Sequence, residues 1–485
     1  MNNRNKSLSK GGVYYLIYNV LNMAFPFLTG IYVSRVLLPE SIGTVAAAQN
    51  FAQYFVVFAF LGIPTYGLRE ISKTRNNDEE RSKVFSELFL INLISTIVFS
   101  IIYLILIFSI PEYRKEIILY LVVGISIALN SFNISWLYEG MEEFKFISIR
   151  NVIFKAISFG FLVLTVRSEK DILLYALVTV VGTAGNYIIN MICAPKRAKF
   201  TIRGLNLRRH MKSIFFLVAV NLAIELYSLV DITMMNFLCD KDSIAFYKYA
   251  IAIKRILMQI VNTFTMVLVP RISFYYKEGL LDDFNKLLSK AFKLIIMVSV
   301  PMIVGLYFTA DFIMVKLYGE PYIASSSILK LLSVLLLISP IGYLLGSRVL
   351  LATGHENKMI ISVGLGAIVN IIGNAILIPT YAANGAAVAS VFSEIIVMVV
   401  YVCMGKNYFS LIDVKKSIFM YIAANIIMGL FLFLCTFLVL NEVLVLIIQI
   451  IGAIIVYTAV LLILKEEIVS NYLSSFIIKF KKGVK

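Results

Sequence analysis

Histidine is nearly missing from this chain, cysteine is scarce and ionisable side chains are few. His210 and His355 are the only imidazoles in 485 residues. Both fall between apolar runs, so a histidine-ligated metal centre is not expected, and nothing calls for a cofactor. The four cysteines, Cys193, Cys239, Cys403 and Cys435, lie in or at the ends of apolar runs. They show neither metal-ligand spacing nor a paired pattern, and each reads as a small buried hydrophobe. A compact apolar leader is lacking too. The opening residues are polar and the first apolar run is interrupted by Asn19, Asn22 and Pro26, which does not fit a cleavable signal peptide. Long loops are absent from one side of the chain. The connections at 37–41, 111–116 and 379–384 are too short to fold into a catalytic domain, so the expectation is a protein that is not an enzyme.

What is present is apolar surface. Hydrophobic residues make up 60% of the chain, charged residues only 15%, and the mean hydropathy is +0.89, which is more apolar surface than one water-soluble core can hide. The expected fold class is all-α, a polytopic membrane protein. A spanning helix needs about 20 apolar residues, and on that rule about 14 runs qualify, from 12–36 to 443–464. The net charge of +16 does not imply nucleic acid, because the basic residues collect in short loops, where they set topology and meet anionic membrane lipid. Arg4, Lys6 and Lys10 precede the first run; Arg69, Lys73, Arg75, Arg81 and Lys83 follow the second; Lys196, Arg197, Lys199, Arg203, Arg208, Arg209 and Lys212 follow the sixth. The alternate loops are poor in cations, which places both termini in the cytoplasm. The end of the chain repeats Ile468, Tyr472, Phe476 and Phe480 at helical spacing among lysines and reads as an in-plane amphipathic helix.

Charges inside the apolar runs need a reason, because each costs at least about 2.5 kcal/mol near the bilayer centre and usually marks a substrate or ion path. The runs at 214–238 and 243–269 contain Glu225, Asp231, Lys254 and Arg255. Asn221, Glu225 and Ser228 share a helical face, and Tyr247, Lys254, Arg255 and Asn262 form a comparable stripe on the next run. Two adjacent cations against one carboxylate leave positive charge unmatched, which favours a cavity over a structural ion pair. In the fifth run, Asn151, Lys155 and Ser158 fall on one face with Lys155 near mid-membrane. Tyr15, Tyr18, Asn22 and Thr29 in the first run and Gln49, Asn50 and Gln53 in the second are too polar to face lipid. They line a hydrated space or bond between helices.

Faint internal repetition supports a two-fold plan. Residues 39–43 are echoed by 241–245, Pro64 and Arg69 by Pro270 and Arg271, and 140–145 by 354–358. Six helices separate the partners, so the copies keep one orientation and form a parallel repeat, with binding expected where the halves meet. The expected divisions are an N-terminal lobe at 1–213, a C-terminal lobe at 214–410, two appended helices at 411–464 and the amphipathic tail at 465–485.

The stretch Arg35-Val36-Leu37-Leu38-Pro39-Glu40-Ser41-Ile42-Gly43, followed by Gly62 and Arg69-Glu70, resembles the opening of the polysaccharide-biosynthesis flippases. These are the Wzx-type branch of the multidrug/oligosaccharidyl-lipid/polysaccharide exporter superfamily. Leu351-Ala352-Thr353-Gly354-His355-Glu356-Asn357-Lys358, then Asn370, Asn374, Ile378-Pro379, Asn384-Gly385-Ala386-Ala387-Val388-Ala389-Ser390 and Glu394, is similar to that family's segment across the tenth to twelfth helices. Tyr247 and Lys254 also match positions where such proteins often carry a tyrosine and a lysine.

The resemblance implies two six-helix lobes with two helices appended, and a bacterial cytoplasmic-membrane protein that moves undecaprenyl-diphosphate-linked sugar repeat units outward for capsule or surface polysaccharide. It suggests a polysaccharide polymerase as partner. On charge alone, Lys254, Arg255 and Lys155 suit the diphosphate. Tyr15, Tyr18, Asn19, Asn22, Gln49, Gln53 and Tyr247 suit glycan hydroxyls. Glu225, Asp231 and Glu394 are open to two roles, pairing with those cations or carrying a coupling proton or sodium ion. Two other functions compete: a cation-coupled multidrug exporter of the same superfamily, which the unmatched cations oppose, and an integral-membrane glycan polymerase or ligase, which the short outer loops oppose.

Overall fold

The computed structural model describes residues 22–266, 268–350, 356–404 and 414–471. Every regular element among them is helical. The first part of the chain holds α1 (22–33), α2 (Pro39–Phe60), α3 (Ile63–Lys73), α4 (Asp78–Ser109), α5 (Pro111–Arg114), α6 (Ile117–Asn130), α7 (Ser135–Gly140), α8 (Phe144–Thr165), α9 (Ile172–Ala184), α10 (Asn186–Cys193) and α11 (Arg208–Leu238). The second holds α12 (Lys241–Met266), α13 (Val269–Lys277), α14 (Leu281–Tyr318), α15 (Ala324–Ser333), α16 (Leu335–Tyr343), α17 (Glu356–Met404), α18 (Val414–Cys435) and α19 (Glu442–Ile463). Two compact units divide the chain after Ala245.

Ten helical stretches among the described residues are long and apolar enough to cross a membrane. This is fewer than the fourteen expected from the sequence, in part because α17 carries two expected runs as one 49-residue element. Ala382, at φ 45° and ψ −125°, breaks that element. The parts before and after it lie side by side: Ser393 Oγ donates to the Gly366 carbonyl at 2.7 Å, and a Cβ on Gly373 would stand 3.0 Å from that of Ala389. Length matches the task. The 22 residues of α19 extend about 33 Å, against about 30 Å of hydrocarbon.

Burial is inverted relative to a water-soluble protein. Phe419, Ile426, Ile454 and Ile463 are among many large apolar side chains left exposed, whereas Asn92, Asn130, Asn190, Asn425 and Gln449 are buried. Hydrocarbon outside and polar contacts between helices account for both observations. Three cysteines depart from expectation for the same reason. Cys435 is buried, but Cys193 and Cys239 are half-buried and Cys403 is exposed, because an apolar side chain gains nothing by hiding from lipid.

In the first unit α2 packs on α4, α6 and α11, α9 lies on α6 and α8, and α3 lies on α7. Leu61 and Gly62 adopt left-handed φ of 48° and 68°. This breaks the expected second run into α2 and α3 and turns Ile63, Tyr66 and Ile71 into a core with Phe85, Trp136 and Tyr138. In the second unit α14 packs against α15, α16, α18 and α19, and Tyr421, Met428, Leu432 and Tyr457 form the core between α18 and α19.

The motif glycine Gly43 has a packing role. A Cβ there would lie 1.8 Å from the Lys241 carbonyl oxygen and 2.6 Å from its carbon, so the two sequence-echoing segments meet backbone to side. Gly43→Ala must displace main chain. It is expected to destabilise by about 2–3 kcal/mol or more, read as a lower thermal midpoint of the purified protein.

Candidate functional site

The sharpest polar cluster of the first unit is built on α8. Asn151, Lys155 and Ser158 recur at helical spacing on its buried face, with Lys155 only 8% exposed. Their neighbours come from α1, α9 and α10. Lys155 Nζ donates to Asn22 Oδ1 at 2.6 Å, and Asn151 Nδ2 donates to the same oxygen at 2.8 Å. Asn186 Nδ2 reaches Asn151 Oδ1 at 3.4 Å. The Lys155 amine also stands 5.5 Å above the ring of Phe25, a cation–π distance. Close approach is possible because Gly182 has no side chain: a Cβ there would come within 3.1 Å of Ser158 and 3.2 Å of Phe25.

The electrostatics of this cluster are one-sided. Among the described residues no carboxylate forms an ion pair with Lys155; its hydrogen-bond partner is a neutral amide oxygen. An ammonium has three donors, and Asn22 takes one of them. Asn186 Oδ1 is buried with no hydrogen-bond partner among the described residues. The cluster therefore offers spare donors with a full positive charge and a spare acceptor beside them. In a low-dielectric surrounding that combination holds an anionic oxygen strongly and a hydroxyl group more weakly.

The remaining sequence candidates are placed as follows. Tyr15, Tyr18 and Asn19 lie outside the described residues, as does the Glu225 side chain. On α2, Gln49 is half-buried and Gln53 exposed. Asn50 between them is a tie between helices: its Nδ2 donates to the Leu229 carbonyl at 3.1 Å and Thr233 Oγ1 at 2.8 Å, and Tyr54 Oη meets the same Thr233 oxygen. Asp231 is buried on α11. In the second unit Tyr247 is buried and its Oη lies 3.3 Å from Ser390 Oγ, joining α12 to α17. Lys254 is half-buried and Arg255 exposed on α12. Glu394 accepts from Ser339 Oγ at 3.1 Å.

Three participants escaped sequence reasoning. Asn186 and Phe25 belong to the Lys155 cluster; the signal for Asn186 was its place inside an apolar run, four residues before the buried Asn190. The third is Glu87, 1% exposed. It accepts from Arg209 Nη2 at 2.6 Å, His210 Nε2 at 2.7 Å and the Asn206 backbone N–H at 2.7 Å. His210, expected in a loop, stands instead in the first turn of α11 and is buried. Glu87 holds it there, and Tyr66 Oη meets its other ring nitrogen at 2.9 Å.

Residues 8–275, more than half of the chain, match the polysaccharide biosynthesis protein family. The chain belongs to that family. Two relatives agree with it: a protein of Escherichia coli (strain K12) named as an O-antigen transporter is 22% identical over 56% of this chain and 66% of its own length. One of Shigella dysenteriae with the same name is 22% identical over 78% of this chain and 94% of its own length. The fold is also that of solved structures. A lipid II flippase, MurJ, in an inward closed conformation superposes with a TM-score of 0.73 at 18% identity, covering 94% of this chain and 99% of that one. An inward-facing multidrug resistance MATE family transporter of the MOP superfamily does so at 0.63 and 14% identity, covering 79% and 93%. This family member thus has the architecture of the multidrug/oligosaccharidyl-lipid/polysaccharide exporters.

Proposed function

We propose that this chain is a flippase that carries polyprenyl-diphosphate-linked oligosaccharide repeat units, undecaprenyl-linked in a bacterium, across the cytoplasmic membrane for surface polysaccharide. The observation that carries the reading is the Lys155 amine, buried in a helical unit and bonded to the neutral Asn22 oxygen. A lipid diphosphate supplies the missing negative charge, and the Asn151 and Asn186 amides beside it suit a glycan hydroxyl. An organic cation would be repelled there, which sets this reading above a multidrug exporter. The names of the relatives point the same way. Alternating access by rocking of one repeat against the other carries the bound headgroup between leaflets while the polyprenyl chain stays in lipid.

The test is deletion of the gene followed by analysis of lipid-linked sugars. Polyprenyl-linked repeat units are expected to accumulate while surface polysaccharide is lost, and re-expression should reverse both. A deletion strain that exports normal polysaccharide with no accumulated intermediate rejects the reading. The proposed orientation, with both termini cytoplasmic, has its own test. A cysteine at Asn441 should react with an impermeant thiol reagent on intact cells and one at Asn76 should not; the reverse pattern would invert the direction of transport.

A further inference from the structure

A cavity of about 640 Å³ opens where two spanning stretches, Asp78–Ser109 and Glu169–Lys196, reach their polar ends. Six cations line it: Arg81, Lys83, Lys196, Arg197, Lys199 and Arg203. Three are already committed. Arg81 bonds Asp78 at 2.7 Å, Lys83 bonds Glu79 at 2.9 Å and Arg197 bonds Glu143 at 2.7 Å. Lys196, Lys199 and Arg203 are exposed, and none forms an ion pair among the described residues.

The wall that carries them is built. The Lys199 backbone N–H donates to Ser82 Oγ at 3.1 Å and that of Thr201 to Ser86 Oγ at 2.9 Å. The two serines are one turn apart on α4, so the strand-like segment 199–201 is laid along that helix. Arg81 Nε closes the inner end on the Arg197 carbonyl at 2.8 Å. Along this segment apolar and polar residues alternate: Phe200 and Ile202 are 46% and 77% exposed, with Thr201 between them and Lys199 and Arg203 on either side. Phe200 rests edge-on against Phe89 at 5.9 Å.

We infer that this cavity is a headgroup site for an anionic phospholipid of the leaflet in which it lies. Three unneutralised cations in a concave wall at the end of two spans meet a phosphate at headgroup level, and the exposed Phe200 and Ile202 enter the acyl boundary beside it, as aromatic and apolar residues do at membrane interfaces. A soluble phosphate would use the cations and have no use for the apolar pair. The site is separate from Lys155 and its occupation does not depend on what the protein transports.

The experiment titrates the purified full chain in neutral detergent with short-chain phosphatidylglycerol, with phosphatidylcholine and with inorganic diphosphate, reading the thermal midpoint as a measure of binding to the folded state. Phosphatidylglycerol should raise the midpoint, phosphatidylcholine should not, and diphosphate should do so only weakly. The exposed triple variant Lys196→Gln, Lys199→Gln, Arg203→Gln should keep the lipid-free midpoint and bind phosphatidylglycerol at least about tenfold more weakly, since each cation near a membrane surface contributes about fivefold. Phe200→Ser with Ile202→Ser should weaken the lipid response and leave that to diphosphate unchanged. An undiminished phosphatidylglycerol response in the triple variant overturns the inference. So does a diphosphate response equal to that of the lipid, which would assign the cavity to a soluble anion.

Discussion

Lys155→Met is expected to cut export of surface polysaccharide about 10- to 150-fold without lowering the amount of folded protein. Methionine matches the length of the lysine stem, keeps the contact with Phe25 and removes the charge. Replacing a buried charge by an apolar group of similar volume is often neutral or stabilising, so a purely structural lysine would leave activity and abundance unchanged together. A lysine that grips cargo separates the two. A hydrogen bond to a charged group is worth about 1.5–3 kcal/mol, so transport should fall about 10- to 150-fold. Lys155→Arg keeps the charge but not the compact geometry, and the space beside Gly182 is tight; partial activity is expected. The measurement is complementation of a deletion strain, scored for surface polysaccharide and for protein level in the same cells. Full complementation by Lys155→Met at normal abundance would remove Lys155 from the site and return attention to Lys254 and Arg255.

Glu87→Ala should have the largest effect on stability. Its carboxylate is the shared partner of Arg209, His210 and the Asn206 N–H, and alanine leaves all three facing a hole. Removing one member of a buried charged network costs about 3–5 kcal/mol, a large part of any protein's margin. The variant is expected to be nearly absent from the membrane fraction, with a greatly reduced thermal midpoint for what remains. Glu87→Gln retains an acceptor for Asn206 and should fall between. A wild-type midpoint for Glu87→Ala would mean that the start of α11 is held by apolar contacts, with Ile214 in the core of Phe85 and Trp136 the first place to look.

Much of the architecture was readable because a bilayer imposes a strict rule on sequence: each crossing must be a long apolar helix. The runs beginning near 84, 117, 146 and 172 correspond to α4, α6, α8 and α9. Local backbone geometry was less legible. Leu61 and Ala382 take left-handed φ without being glycine, so the break in α17 had no glycine at the residue that bends, and at the end of α2 only the second of the two bending residues, Gly62, is one. The site was readable in parts. Lys155 was conspicuous as a charge in an apolar run, and Asn22 as a polar interruption of another, but their pairing spans 133 residues and no local pattern encodes it. Asn50 shows the limit of reading stripes: it looked equivalent to Gln49 and Gln53, and only its distance to Thr233 reveals a tie between helices. Glu87 resembled an ordinary charge at the start of a span because its three partners lie well over 100 residues away in sequence.

The bond between Lys155 and Asn22 also bears on how the chain is made. Residues leave the ribosome in order, so the first helix, with Asn22, has already entered the membrane when the helix bearing Lys155 arrives. An amine entering hydrocarbon alone is costly; one that finds an amide oxygen waiting for it has a resting place from the start. A rearranged gene that encodes the first helix last would strand Lys155 during synthesis even though the finished set of contacts is unchanged. Its product should be recognised as misassembled and degraded before it ever folds.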